Sequence, residues 1–230
     1  MATKSFAATT EVLEPETENT ALTTHADPAP TFAASDIEIP RLSVVQKMSE
    51  LDIDAPVGSF VSNKETVLYR SGIKIPAAIL FAQKYWKEDI PYDSDEMPRF
   101  AHTQEEADAL AAENGKEGYP IITSANVALL IAKTDDAEAG SEDCFPFELD
   151  GKQYAIGKMT VQKKSYDTMF KSIASFQLFN PKVNPADIVW NLTSYVVTKG
   201  KYSWYVPSLS PTREPVGDEV ADFVKRLSGK

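Results

Sequence analysis

Residues 145–161 read FPFELDGKQYAIGKMTV, and this stretch decides the fold class. Two runs with the alternating polarity of β-strands lie on either side of Asp150-Gly151. An Asp-Gly pair readily adopts the positive φ angles of a type I′ turn, which joins two antiparallel strands. The stretch therefore predicts a β-hairpin with strands at Phe145 to Leu149 and Gln153 to Val161.

Further strands are predicted elsewhere in the chain. Runs with strand-like composition lie at 37–48, 63–69, 73–85 and 126–133, and a second hairpin around Lys199-Gly200 joins 188–198 to 201–206. Pro76 interrupts the run at 73–85, so it is expected at a sheet edge or a bulge. The chain is therefore rich in short strands.

Three helices are predicted between and after these strands. The T-x-x-E spacing at 103–106 is typical of a capping box before a helix at 104–114, which lies in an acidic insertion around 86–118. A second helix is expected at 166–178 and a closing helix over Val220 to Leu227. This order of elements predicts an α+β protein that is mainly β with flanking helices, built as a small barrel or a sandwich.

The composition is that of an ordinary globular protein. Of the 230 residues, 43% are hydrophobic and 25% are charged, which argues against collagen, a coiled coil or wholesale disorder. Cys144 is the only cysteine, and His25 and His102 are the only histidines, so neither a disulfide framework nor a metal site or cofactor is expected. Because the chain has no run of about 18 apolar residues and no charged-then-apolar leader, we expect a soluble, intracellular protein without a membrane span.

The net charge of −11 is unevenly distributed along the chain. Residues 1–36 carry −5 with few large apolar groups, which predicts a disordered acidic N-terminal tail. Residues 37–150 carry −12, whereas 151–213 carry +7, and 214–230 carry −1. We therefore expect a single domain at 37–213, followed by a C-terminal helix and tail at 214–230.

The positive segment 151–213 also holds ten aromatic residues, and this combination is the main functional signal. Lysines offset the phosphate charge of nucleic acids, and exposed rings stack on unpaired bases without reading their sequence. Strand alternation predicts rings beside lysines on solvent-facing positions: Tyr154, Tyr195, Tyr205, Lys158, Lys199 and Lys201. The alternative is that such rings belong to the core and that the lysines form an ordinary solvated face.

Four stretches carry a resemblance to a known family. They are IPRLSVVQKMS at 39–49, PVGSFV at 56–61, FPFELDGKQYAIGKMTVQKKSYDTMFK at 145–171, and KYSWYVP at 201–207, which follows Tyr195. In order and spacing they resemble bacteriophage single-stranded DNA-binding proteins. The resemblance implies an oligonucleotide-binding (OB) barrel that coats transient single strands during phage DNA replication or recombination, in the host cytoplasm. Phage replication proteins are the other partners that it implies. Cooperative coating would also require contacts between copies of the chain, as in a homo-oligomer, but the sequence leaves the oligomeric state open.

The resemblance also implies which residues contact single-stranded DNA. They are Tyr154, Lys158, Lys163, Lys164, Tyr195, Lys199, Lys201 and Tyr205, together with Arg41 and Lys47 in the first matching stretch. The chain departs from the family in one respect, since many members end in an acidic tail. Here the acidic segment is at 1–36, and the chain ends in basic residues.

No enzymatic signature accompanies these features, so no catalytic residue is expected. The sequence contains no phosphate loop, no nucleophile elbow and no H-E-x-x-H motif. The acidic clusters at 93–96 and 135–138 suit solvated loops better than a magnesium site. The principal rival hypothesis is a phage structural or assembly protein without nucleic-acid binding, and a metal-dependent nuclease is a distant third.

Overall fold

The computed structural model describes residues 38–49, 51, 53–91 and 94–228. The chain divides into a unit of residues 1–36 and a unit of residues 37–230, and the described residues belong to the second. The disordered tail predicted at 1–36 lies outside the described residues.

The described residues form ten β-strands and four α-helices. The strands are β1 (Leu42–Val44), β2 (Phe60–Ser62), β3 (Thr66–Tyr69), β4 (Ile75–Glu88), β5 (Phe100–Ala101), β6 (Ile121–Ala132), β7 (Phe147–Leu149), β8 (Lys152–Gln162), β9 (Ile188–Lys199) and β10 (Tyr202–Pro215). The helices are α1 (Gln104–Asn114), α2 (Lys163–Thr168), α3 (Phe170–Phe179) and α4 (Asp218–Ser228). The prediction of an α+β protein that is mainly β with flanking helices is confirmed. None of the described helices is both long and apolar enough to cross a membrane.

The strands form two antiparallel sheets. The short sheet has the order β1-β2-β3, and the long sheet has the order β10-β9-β4-β6-β8-β7, with β5 paired to β4. Within the described residues no ladder joins β10 to β8, so strand pairing leaves the long sheet open. The OB barrel that the resemblance implies is therefore not confirmed, and the architecture is two unclosed sheets with helices.

The main hydrophobic core lies between the two sheets. Leu42, Phe60 and Tyr69 reach it from the short sheet, and Leu129 and Trp190 reach it from the long sheet. All five side chains are buried, because successive residues of a strand face opposite sides and these positions share the inner side. The core therefore holds the short sheet against the long one.

The hairpin that decided the fold class is formed as predicted. Leu149 pairs with Lys152, and the turn residues Asp150 and Gly151 have φ angles of 48° and 69°, as a type I′ turn requires. Farther along β8, Gly157 lies so close to β1 that a Cβ there would be 3.0 Å from the Cβ of Leu42. The missing side chain lets the short sheet approach β8.

Two local predictions differ from the structure. Pro76 lies in the central strand β4, beside Asn191 of β9, where pairing with β6 has not yet begun; the bulge of β4 is instead at Leu80. The helix predicted at 166–178 is divided into α2 and α3 at Met169, which is fully buried in the core. Burial of this side chain requires the turn that separates the two helices.

Helices α2 and α3 cover the free edge of β10. The Thr168 hydroxyl donates to the Pro207 carbonyl oxygen at 2.7 Å, and the Ser172 hydroxyl donates to the Leu209 carbonyl oxygen at 2.8 Å. Exposed strand edges invite pairing with other chains, and side-chain partners of this kind remove the free acceptors. This part of β10 is therefore not open to a further strand.

Helix α4 packs on the outer face of the long sheet. Val220 and Val224 form a second apolar cluster with Leu80 of β4 and Leu130 of β6. The Asp150 carboxylate accepts hydrogen bonds of 3.2 Å from the first backbone N–H groups of the helix, which fixes its N-terminus at the first hairpin. Helix α4 therefore covers the part of the outer face around Leu80 and Leu130.

The connection between β4 and β6, which we call the insertion, contains α1 with the predicted capping box. Arg99 holds it to the sheet: its guanidinium donates to the buried Glu88 carboxylate at 2.9 Å, and the Asn114 amide donates to the same carboxylate at 2.8 Å. Hydrogen bonds from Arg99 lower the pKa of Glu88 to about 2, with the Asn114 amide adding to the effect and burial opposing it. The insertion is thus anchored to the sheet by a buried carboxylate, Glu88, whose charge the Arg99 guanidinium neutralises.

Candidate functional site

Arg41 and Lys158 come together where the chain reaches β8. The backbone N–H of Lys158 donates to the Pro40 carbonyl oxygen at 2.8 Å, and Arg41 forms a single parallel bridge with Lys158. Neighbouring backbones in such a pair are about 5 Å apart. Two cations from distant parts of the sequence therefore lie side by side.

The chain beyond β1 extends to the free edge of β10. Gln46 Nε2 donates to the Tyr205 carbonyl oxygen at 2.9 Å, and Gln46 Oε1 accepts from the Tyr205 N–H at 2.9 Å. Lys47 Nζ donates to Ser203 Oγ at 3.3 Å. Residues 40–47, which we call the seam segment, thus span the gap that strand pairing leaves between β8 and β10.

The tip of the β9–β10 hairpin adds two cations close to Lys47. Lys199 pairs with Tyr202, and Lys201 Nζ lies 5.3 Å from the centre of the Tyr202 ring. Ser203, the contact of Lys47, is the next residue along β10. The hairpin tip therefore continues the line of positive charge that begins at β8.

These basic residues have no acidic partner. We call them the seam cations, and among the described residues none of them forms an ion pair: Arg41, Lys47, Lys158, Lys199 and Lys201. A cation without a fixed counter-charge is available to neutralise a phosphate. The surface formed by the seam segment and the seam cations, which we call the seam, therefore carries positive charge that no described carboxylate neutralises.

A groove of about 330 Å³ opens beside the seam segment. Arg41, Thr160, Gln162 and Tyr205 are among its lining residues. Within the described residues, the only bridge between the seam segment and β8 is at Lys158, so the two backbones are unpaired beyond it. The groove therefore lies in the gap between β8 and β10, where further strand pairing would be needed to close the long sheet into a barrel.

Tyr205 is held in this groove by a glycine. Gly58 has a φ of 90°, and a side chain there would collide with the Tyr205 ring. Only glycine adopts this φ without strain while allowing the ring to lie against its backbone. The ring is therefore fixed by packing on one side, and it lines the groove together with Arg41.

The structure reveals two rings that sequence reasoning did not select. Phe81, whose side chain is 38% exposed, lies opposite Ala128 on the outer face, and Ala128 lies opposite Lys158. Tyr202, beside Lys201, is 65% exposed. The bulge at Leu80 adds one residue to the strand, so that Phe81 faces the outer side of the sheet instead of the core. The alternation of polar and apolar residues in the sequence does not reveal this shift.

Two of the predicted tyrosines do not line the groove beside the seam segment. Tyr154 packs in the cluster beneath α4, and burial raises the pKa of its hydroxyl. Tyr195 pairs with Val206, so it lies on the opposite face of the hairpin from Tyr205, on the face that also carries Lys199 and Tyr202. Of the three predicted rings, only Tyr205 lines the groove.

The lysines that begin α2 differ from the seam cations. Lys163 Nζ forms an ion pair of 2.8 Å with Asp89 of the insertion. Lys164 is exposed, with no ion pair among the described residues, and it is not among the residues that line the groove. The structure therefore gathers Arg41, Lys47, Lys158 and Tyr205 along the seam segment, with Lys199 and Lys201 at the neighbouring hairpin tip. Tyr154 is packed beneath α4, Lys163 is ion-paired, and Tyr195 and Lys164 do not line the groove.

No described group of three or more His, Cys, Asp or Glu side chains is arranged to hold a metal ion. Comparison with family models, with curated proteins and with solved structures gives no match to this chain. The geometry of the seam is therefore the basis for a functional proposal.

Proposed function

We propose that the protein is a non-catalytic, sequence-tolerant single-stranded DNA-binding protein with an OB fold. The strand order carries this proposal. If β4, β6, β8, β9 and β10 are taken as strands one to five, their order in the long sheet is 5-4-1-2-3. Helices α2 and α3 lie between the third and fourth of these strands. An OB barrel that is open between its third and fifth strands has this topology.

The seam segment supports the same proposal. OB barrels are partly open, and the pair that completes the ring is the third strand with the fifth. Residues 40–47 contact β8 through Lys158 and β10 through Tyr205, which are the third and fifth strands of this scheme. The gap is therefore filled by a segment that also brings two cations, Arg41 and Lys47.

The position of the charges agrees with an OB ligand site. Such sites use the face of the second and third strands and the loop between the fourth and fifth. Lys158 belongs to the third strand, and Lys199 and Lys201 flank the loop between the fourth and fifth. Phe81 lies on the same outer face as Lys158 and offers a ring for base stacking.

The chemistry of the seam suits a single strand of any sequence. Its cations contact phosphates, which are the same in every nucleotide, and its rings stack on any base. The protein would act in phage DNA replication or recombination, in the host cytoplasm, with phage replication proteins or copies of itself as further partners. These roles follow from coating a transient single strand and not from catalysis.

Titration of labelled oligo-dT at two salt concentrations tests the proposal. If the seam cations each neutralise one phosphate, affinity falls about 100-fold between about 50 and 200 mM salt, since each contact contributes about 0.7 to the logarithmic slope on a single strand. Duplex DNA of the same length is the control and should bind more weakly, because its bases are not available for stacking. Absence of oligo-dT binding at about 50 mM salt would overturn the proposal and favour the assembly-protein hypothesis.

A further inference from the structure

We infer that the groove beside the seam segment accepts one base of the bound strand. This inference rests on the proposed function, because it names a subsite within the same surface. The groove volume of about 330 Å³ lies at the lower end of small-molecule sites, which span about 300–1,000 Å³. A single planar base is therefore a better match than a larger folded element.

Gln162 indicates the chemistry that the groove favours. Its side-chain oxygen Oε1 is buried and has no hydrogen-bond partner among the described residues. A buried acceptor without a donor is unfavourable, so a ligand that supplies an N–H group is favoured at this position. Each of the four DNA bases carries an N–H donor on its pairing edge, and this edge is free only in a single strand.

The exposed edge of β8 adds a second polar element. The N–H of Lys158 points away from β6, toward Pro40, and residues two apart on a strand point the same way. The backbone groups of Thr160 therefore point toward the seam segment, where the described residues provide no paired strand. A base edge in the groove meets these groups together with Gln162, whereas an apolar ligand would leave all of them unsatisfied.

Tyr205 and Arg41 supply the remaining contacts of a nucleotide. The Tyr205 ring is fixed against Gly58 and lines the groove, so it can stack on a base without first losing rotamer freedom. Arg41 is exposed at the same groove and has no ion pair among the described residues. The ring and the guanidinium thus match the base and the phosphate of one nucleotide.

Binding of oligo-dT and of an abasic deoxyribose-phosphate oligomer of equal length tests the inference in the full chain. Wild type should prefer oligo-dT by about tenfold or more, since base stacking is worth about 5- to 150-fold per base. Gln162→Met should reduce this preference to about one third without changing the salt slope, because no charge is removed. Tyr195→Leu, a ring on the opposite hairpin face, should leave the preference as in wild type. An unchanged preference in Gln162→Met would overturn the inference.

Photochemical cross-linking gives a second test in unmodified protein. Oligo-dT that carries 5-iododeoxyuridine should cross-link to Tyr205 when irradiated, and peptide mass spectrometry would locate the bond. Cross-links confined to Phe81, Tyr195 or Tyr202 would overturn the inference, although the wild-type protein would still bind DNA. Failure of the proposed function is distinct, because neither oligo-dT nor the abasic oligomer would then bind at about 50 mM salt.

Discussion

The insertion and the seam both carry basic side chains at the long sheet, but they use them differently. Arg99 in the insertion is paired with Glu88 and Glu113, each at 2.9 Å, whereas the seam cations have no acidic partner among the described residues. The ion pairs of Arg99 stabilise the position of the insertion on the sheet. The seam cations, in contrast, are available to pair with an anionic ligand. The overall net charge of −11 therefore says little about which surface meets a polyanion.

The largest expected effect comes from removing seam cations. The triple variant Arg41→Gln, Lys158→Gln and Lys201→Gln should weaken oligo-dT binding about 500-fold at about 50 mM salt, because three phosphate contacts are lost. Its logarithmic salt slope should become shallower by about 2. Fluorescence anisotropy titrations at several salt concentrations measure both quantities.

A matched triple variant distinguishes the effect of the seam cations' position from the effect of the protein's net charge. Lys163→Gln, Lys171→Gln and Lys225→Gln remove the same charge, but each of these lysines is ion-paired with Asp89, Asp167 or Asp222. This variant should change affinity by less than about threefold, since these cations are already neutralised. Equal losses in the two triple variants would show that net charge, and not the seam, determines binding.

The second prediction concerns the anchor of the insertion. Glu88→Gln should lower the free energy of unfolding by about 2 kcal/mol, because it replaces a buried carboxylate that accepts several hydrogen bonds from Arg99 and Asn114. Glu138→Gln, in the exposed pair with Arg70, is the control and should cost less than about 1 kcal/mol. Urea unfolding measures both values, and equal costs would contradict the prediction.

The pH dependence of the same variant gives an independent check. The pKa of Glu88 is about 2 in the folded protein against an ordinary value of 4.5, so its carboxylate stabilises the fold fully above pH 4.5. This contribution decreases as pH falls from 4.5 toward 2, where the folded carboxylate is protonated. The difference in stability between wild type and Glu88→Gln should therefore shrink over this range. A difference that stayed constant would exclude Glu88 as its source.

Local signals made several elements predictable from the sequence. The Asp150-Gly151 turn and the capping box of α1 both depend on residues within four positions of each other, and both are formed as expected. The division of the second helix at Met169 was not predictable, because it follows from burial against distant strands. The extension of β6 back to Ile121 likewise depends on its pairing with Glu88 of β4.

The candidate site was predictable in its residue types but not in its geometry. The local excess of lysines selected Lys158, Lys199 and Lys201, since composition alone shows it. That the seam segment joins them depends on contacts between residues about 160 positions apart, such as Gln46 with Tyr205. Neither those contacts nor the covering of one sheet face by α4 leaves a periodic signal in the sequence.

The third prediction compares two exposed rings on the outer face. Phe81 lies on the same face as Lys158 of the seam, with Ala128 of β6 between them, whereas Phe100 belongs to the insertion, beside Tyr85. Phe81→Ala should weaken oligo-dT binding about tenfold, which is the cost of losing one stacked base. Phe100→Ala, which removes a ring of equal size, should change affinity by less than about twofold. A larger loss for Phe100→Ala would place the strand over the insertion instead of the seam.

The smallest effect is expected where the insertion and the seam meet. Lys163 follows Gln162, a lining residue of the groove, and Asp89 of the insertion neutralises it at 2.8 Å. Asp89→Asn should free this lysine and strengthen oligo-dT binding about threefold, with a slope steeper by up to about 0.7. Asp222→Asn frees Lys225 on α4 and removes the same charge, so it controls for net charge. If both variants gain equally, the acidic side chains act only through long-range repulsion, but a gain confined to Asp89→Asn would show that a neighbouring carboxylate limits the length of the phosphate-binding surface.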